Sequence, residues 1–142
     1  MKKRILLYEY PTKILLALGE AIDGKQNFFD FLLQNGYPEL AALANSLRTD
    51  KGALQWLMDN DYPELAIFCD AVDSLDQAAE WLKKNNLYFY IVFADACKGH
   101  AHAIEWLHVR KYSIFVYLAQ KIHNQLKIQQ FEAWDYHRLR KK

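Results

Sequence analysis

Apolar and polar positions along this chain recur together with a spacing of 25 residues. An aromatic followed by leucine marks the period at Phe31-Leu32, Trp56-Leu57, Trp81-Leu82 and Trp106-Leu107, and Phe131-Glu132 keeps the step in weaker form. Three residues before each aromatic stand Phe28, Ala53, Ala78, Ala103 and Ile128. Farther on, Leu40, Leu65, Tyr90 and Phe115 align, as do Leu43, Phe68, Phe93 and Leu118. Ala44, Cys69, Ala94 and Ala119 follow, then Leu47, Val72, Cys97 and Ile122. Self-similarity at such a period is the signature of a repeat architecture.

Each unit divides into two helices. The first carries its apolar residues at i, i+3 and i+4, as in Ala53, Trp56 and Leu57, which is one helical face. Asn35, Asn60 and Asn85 then suit a left-handed helix stop, with Gly36 helping in the first unit. Pro38 and Pro63 fit the first turn of the second helix, where a missing N–H costs nothing, and Glu39 and Glu64 beside them favour its positive end. The second helix carries its stripe at positions such as Tyr62, Leu65, Phe68, Cys69 and Val72. Ser74 with Gln77 reads as a capping box opening the next unit. Segments 87–93 and 112–118 are rich in aromatic and β-branched residues and would pass locally for strands. The repeat alignment outweighs that propensity and predicts helices there.

A helix of about ten residues is marginal alone in water. Neighbouring hairpins must therefore bury one another's stripes. A buried Trp removes roughly 150–250 Å² from water, so one aromatic anchor per unit is expected to provide much of the contact between neighbours. The predicted fold is all-α: an α-solenoid of stacked antiparallel helix pairs in one domain, 1–142. Its units run over 28–52, 53–77, 78–102 and 103–127, with degenerate caps at 1–27 and 128–142. Within the first cap, Leu15, Leu18 and Ile22 align with Leu40, Leu43 and Leu47 and predict a second-type helix over 12–22, ended by Gly24. Residues 1–10 read as a short strand or a helical cap. The tail 128–142 reads as a final, more polar helix, the outer face expected of a terminal repeat.

The segment Ala96-Cys97-Lys98-Gly99-His100-Ala101-His102-Ala103-Ile104-Glu105-Trp106-Leu107 resembles the middle of an ankyrin repeat. Ala96, Gly99, His100, Ala103, Ile104, Trp106 and Leu107 occupy that family's Ala, Gly-His and aliphatic places. Pro38 and Pro63 are similar to the Pro that opens the family's first helix, and Trp-Leu looks like the divergent arrays that carry it in the second. The period departs from the family's, which is about 33 residues, and the missing length falls where ankyrin repeats place their projecting β-turn finger. The resemblance implies helix pairs used for protein recognition, without enzymatic activity.

A net charge of +1 leaves no bulk electrostatic footprint for nucleic acid or membrane. Charge is nevertheless uneven. Unit 53–77 holds Asp59, Asp61, Glu64, Asp70, Asp73 and Asp76 with no Lys or Arg, whereas unit 103–127 sets Glu105 against Arg110, Lys111, Lys121 and Lys127. These are solvated faces, or else they point to a head-to-tail contact or a partner of mixed charge. Lys2-Lys3-Arg4 and the tail His137 to Lys142 are basic enough to touch phosphates, which keeps a nucleic-acid-binding helical repeat as the alternative function.

No secretory leader is expected, since Ile5-Leu6-Leu7 is too short an apolar core, and no 18-residue apolar run suggests a membrane span. Cys69 and Cys97 both fall on the stripe. They read as two small buried residues in a reducing compartment, with a disulfide between adjacent second helices as the sharper option. Cytoplasm is the expected location. His100 and His102 are two residues apart and diverge on a helix, and no Cys or carboxylate pair has zinc-type spacing. Neither a phosphate loop nor a nucleophile elbow is present. No metal, cofactor or catalytic group is expected.

One feature exceeds simple stacking. Opposite the second-helix stripe lie Pro38, Glu39 and Ala42, then Pro63, Glu64 and Ile67, then Tyr88, Phe89 and Val92, then Ser113, Ile114 and Tyr117. If second helices line the inner surface of the stack, Tyr88, Phe89, Val92, Ile114 and Tyr117 form an aromatic patch there. Such a patch fits a partner protein or self-association, with intramolecular cover as the other reading.

Overall fold

The computed structural model describes residues 5–140, with side chains through Asp135. After a 3-10 turn at Leu7–Glu9 come nine α-helices: α1 Thr12–Ile22, α2 Gln26–Gln34, α3 Pro38–Leu47, α4 Lys51–Asp59, α5 Pro63–Val72, α6 Asp76–Lys84, α7 Tyr88–Cys97, α8 Ala101–Val109 and α9 Ser113–Arg140. No strand occurs among the described residues, and the aromatic segments at 87–93 and 112–118 are helical.

The turns obey one local rule eight times. After each outer helix (α2, α4, α6, α8), Gly36, Asp61, Asn86 or Lys111 takes a positive φ. The amide of the following residue then reaches back to the carbonyl of the buried leucine: Tyr37 to Leu32 at 2.8 Å, Tyr62 to Leu57 at 2.8 Å, Leu87 to Leu82 at 2.9 Å, Tyr112 to Leu107 at 2.9 Å. After the inner helices α1, α3, α5 and α7, Gly24, Thr49, Ser74 and Gly99 do the same. This is the Schellman stop. The asparagines expected in the left-handed place stand one residue earlier, with φ of −103°, −105° and −98° at Asn35, Asn60 and Asn85. Their side chains instead donate to the carbonyls of Phe31, Trp56 and Trp81 at 2.7–2.9 Å. Ser74 likewise is the left-handed residue itself, and α6 begins at a Leu75 N-cap with no side-chain cap bond. The capping-box reading of Ser74 and Gln77 thus gives way to a turn. A side-chain cap does occur on α4, where Asp50 accepts from Gly52 and Ala53. Pro38 and Pro63 open α3 and α5 as expected.

Inner helices pack α1 on α3, α3 on α5, α5 on α7, α7 on α9, and α9 back on α1. The circuit closes. Each outer helix sits against two inner ones: α2 on α1 and α3, α4 on α3 and α5, α6 on α5 and α7, α8 on α7 and α9. The inner side of the stack is filled rather than open. One continuous cluster takes Leu15, Leu18 and Ile22 from α1, Leu40 and Leu43 from α3, Phe68 from α5, Tyr90 and Phe93 from α7, and Phe115 and Leu118 from α9. Within it Phe68 stacks on Phe93 at 4.9 Å, and Phe115 meets Phe93 edge-on at 5.2 Å.

The anchor pairs divide unequally. Leu32, Leu57, Leu82 and Leu107 are each 0% exposed, whereas Phe31, Trp56, Trp81 and Trp106 are only half-buried. Adjacent helix positions point about 100° apart, so only one of the two can face the inner layer. The leucine enters it, and the tryptophan lies at the rim, as where Trp56 stacks on Tyr62 at 6.2 Å.

The chain closes the ring's open ends with its own termini. At one end Leu7 is buried and its amide donates to the Tyr90 hydroxyl at 3.1 Å. Tyr8 packs edge-on against Phe89 at 5.0 Å, and the Tyr10 hydroxyl donates to Glu39 at 3.3 Å. Glu39 and Glu64 stand at helix starts, yet both are buried there. At the other end α9 does not stop near residue 122. Of the final helix expected over 128–142, the part to Arg140 is the continuation of α9 and the rest lies outside the described residues; Gln129 donates to the carbonyl of Leu47 at the end of α3 at 3.0 Å.

Cys69 and Cys97 are buried and free, so no disulfide joins α5 to α7. Burial pushes the Cys69 thiol up to about 12 and the Cys97 thiol well above its usual range. Burial also raises the Tyr10 phenol, with Glu39 adding to it, and the Tyr90 phenol. All four groups are therefore neutral when folded, whereas an unfolded chain ionises cysteine from about pH 8.5 and tyrosine from about pH 10. Above that threshold the unfolded state holds fewer protons than the folded one, so stability falls as pH rises. The urea midpoint is expected to stay level from about pH 7 to 8 and to fall beyond about pH 9. A Cys69→Ala, Cys97→Ala variant should lose the earlier part of that fall.

Candidate binding surfaces

The expected partner patch is divided by the closed ring. Tyr88 lies at the start of α7 and is 54% exposed. Phe89 beside it is half-buried under Tyr8 and Tyr112, with ring centroids 5.0 and 5.3 Å away. Val92 and Ile114 are half-buried at the edge of the core cluster. Tyr117 faces a different neighbour. Its hydroxyl donates to Glu20 of α1 at 3.0 Å, and its ring lies so close to Gly19 that a Cβ there would meet Cε1 at 2.5 Å. A glycine in mid-helix is thus what lets α9 approach α1. The structure brings Tyr88, Phe89 and Val92 together on α7 and sends Tyr117 to the seam where the ring closes.

That seam is also charged. Lys121 of α9 bridges Asp23 and lies 3.9 Å from Glu20, and Lys25 pairs with Glu20 as well. The bonds from Lys25 and Tyr117 hold the Glu20 carboxyl below its usual range, while the bond to Asp23 raises the Lys121 ammonium. A lysine of the basic unit thus meets Glu20 and Asp23 of the first cap, and not the acids of unit 53–77.

Outside the seam, sequence reasoning missed a surface that the ring geometry creates. Four neighbouring pairs of inner helices carry an outer helix across them, but the fifth pair, α9 with α1, has no such helix among the described residues. Beside that place lies a groove of about 400 Å³, formed by Lys13, Leu16, Ala17 and Glu20 of α1 and Phe28 and Phe31 of α2, with Tyr117 of α9 at its edge. Leu16 is 45% exposed in it. A second apolar surface lies on the outward face of α9's C-terminal half, where Ile128 is 47% exposed and Phe131 65%, with Trp134 beside Phe131 at 6.3 Å between rings. The only signal of these surfaces in the sequence is the weakened fifth copy of the repeat, Ile128 to Glu132.

Among the described residues no group of three His, Cys, Asp or Glu side chains could hold a metal ion, and no helix is long and apolar enough to cross a membrane. The basic residues Lys2, Lys3, Arg4, Lys141 and Lys142 lie outside the described residues, as do the side chains of His137, Arg138 and Arg140. The fold and these surfaces define a ring of helix pairs with one unfilled outer place. No family model, curated protein or solved structure matches the chain.

Proposed function

We propose that this protein is a non-enzymatic protein-interaction module whose α1/α9 groove receives an amphipathic helix from a partner. The observation that carries the reading is that, among the described residues, no outer helix bridges α9 and α1, whereas the other four inner pairs are each bridged by one. The groove is floored by Ala17 and walled by Leu16, Phe28, Phe31 and Tyr117, an apolar surface of the kind that takes the i, i+3, i+4 side chains of a helix. Lys13 and Glu20 at its margins supply polar contacts that fix register. Its helix pairs are shortened ankyrin-type repeats, and recognition runs through the groove in place of the family's finger. Tyr88, Phe89, Val92 and Ile114 are a secondary contact area at the other side of α9. Two buried free thiols suit a reducing compartment, and the protein acts in the cytoplasm.

The test uses a synthetic helix of the outer type. A fluorescent peptide of residues 99–112, which contains α8, is expected to bind saturably to a Phe131→Glu form of the protein, and a further Leu16→Glu change should abolish it. Absence of binding, or binding indifferent to Leu16→Glu, would overturn the groove as the binding surface.

A further inference from the structure

The groove has a natural occupant in the chain's own sequence. The register of the repeat places residues 126–134 one period after α8, so Ile128 and Phe131 correspond to Ala103 and Trp106, and Glu132 stands in the place of the buried Leu107. This stretch is helical and belongs by pattern to the outer layer. Gly24, Thr49, Ser74 and Gly99 reverse the chain after the first four inner helices, each with a positive φ. The equivalent Asn124 lies inside α9, so the chain runs straight on and carries the fifth outer segment away from its own groove.

The segment is amphipathic across that path. Gln125 is buried, Leu126 is half-buried, and Gln129 is bonded to the end of α3. Phe131, nearly opposite Gln129 on the helix, is exposed, as is Ile128, one turn from the buried Gln125. Reaching its own groove would require breaking α9 at Asn124 and losing a turn of backbone bonds. Reaching the groove of a second copy requires no break. Both sides carry both charges, Lys13 and Glu20 in the groove and Lys127 and Glu132 on the segment, so each can meet its opposite.

We propose that two copies of this chain pair reciprocally, each laying residues 126–134 of its α9 into the α1/α9 groove of the other. The proposal rests on the groove reading above and names its partner. A two-fold pair makes the same contact twice, which doubles the buried area toward the roughly 1,200–2,000 Å² of specific interfaces. Phe131 then sits among Phe28, Phe31 and Tyr117, as an aromatic anchor in a pocket.

Sedimentation of the full chain at about 50 μM, where a pair with micromolar Kd is mostly dimer, tests this. A dimer is expected, converted to monomer by Phe131→Glu and separately by Leu16→Glu, with helical circular dichroism unchanged. Mixing the two variants should restore a dimer, since one intact tail then meets one intact groove. Should either variant lose its helical signal, a Leu16→Cys, Phe131→Cys double variant in the Cys69→Ala, Cys97→Ala background replaces it. Oxidation is expected to give a covalent dimer of that chain. A monomeric full chain, a dimer insensitive to both changes, or a disulfide-closed monomer would overturn the proposal. The groove reading fails separately: a monomer that still binds the 99–112 peptide ends the pairing and leaves the groove standing.

Discussion

Phe93→Ala is expected to lower stability by about 3–5 kcal/mol, the cost of emptying a buried aromatic site. Phe93 is 2% exposed on α7, stacked on Phe68 of α5 and edge-on to Phe115 of α9, with Phe89 5.9 Å away. It therefore joins three consecutive inner helices. Truncation leaves a cavity whose walls belong to different helices, each held in place by the ring, so collapse into the void is limited. For a chain of this size the loss corresponds to a fall in melting temperature of roughly 10–20 °C, read by calorimetry. A loss below about 1 kcal/mol would show that the aromatic cluster is loosely packed.

A second large effect separates the two members of one anchor. Leu57→Ala should cost about 2–5 kcal/mol, because Leu57 is fully buried beneath α4 within the core cluster. Trp56→Ala should cost only about 1–2 kcal/mol, less than half the figure for a buried tryptophan, because its ring is half-exposed and rests on Tyr62. Urea denaturation of both variants decides the order. The larger residue losing less is the informative result, since a reading by area alone predicts the reverse. The same order is expected at Leu82 against Trp81 and at Leu107 against Trp106, which share the environment.

Much of the helix pattern was legible along the chain. The stripe spacing placed α1 over residues 12–22, Pro38 and Pro63 marked two helix starts, and the period carried α7 and the start of α9 past their strand-like composition. The divisions of labour inside the pattern were less legible. Asn35 is a good left-handed residue by type, but the register of the Schellman stop gave that place to Gly36. Glu39 read as a charge suited to a helix start, and its burial, with the Tyr10 hydroxyl donating to it from 29 residues away, was not visible in that pattern. Asn124 occupies a turn position by alignment, yet the chain stays helical through it, with Ile122 and Gln125 buried on either side.

Ring closure was the hardest feature to read. A repeat fixes what each unit buries against the next, whereas an open spiral and a closed circuit differ only in a small rotation per unit. The hints were local and easily passed over. Gly19 is the helical position where a missing side chain admits Tyr117, and Lys121 meets Asp23 across 98 residues of sequence and Glu20 beside it. Closure adds Tyr117 of α9 to a groove that α1 and α2 already form, and the same positions one period later, from Pro38 to Trp56, line a second groove.

Because α1 packs on α9, the array has no free terminal unit. Open repeat proteins can gain or shed copies, since each new unit needs only a neighbour to lean on. Here the copy number is locked. Excising one 25-residue unit, or inserting another, would leave two inner surfaces facing each other at the wrong angle.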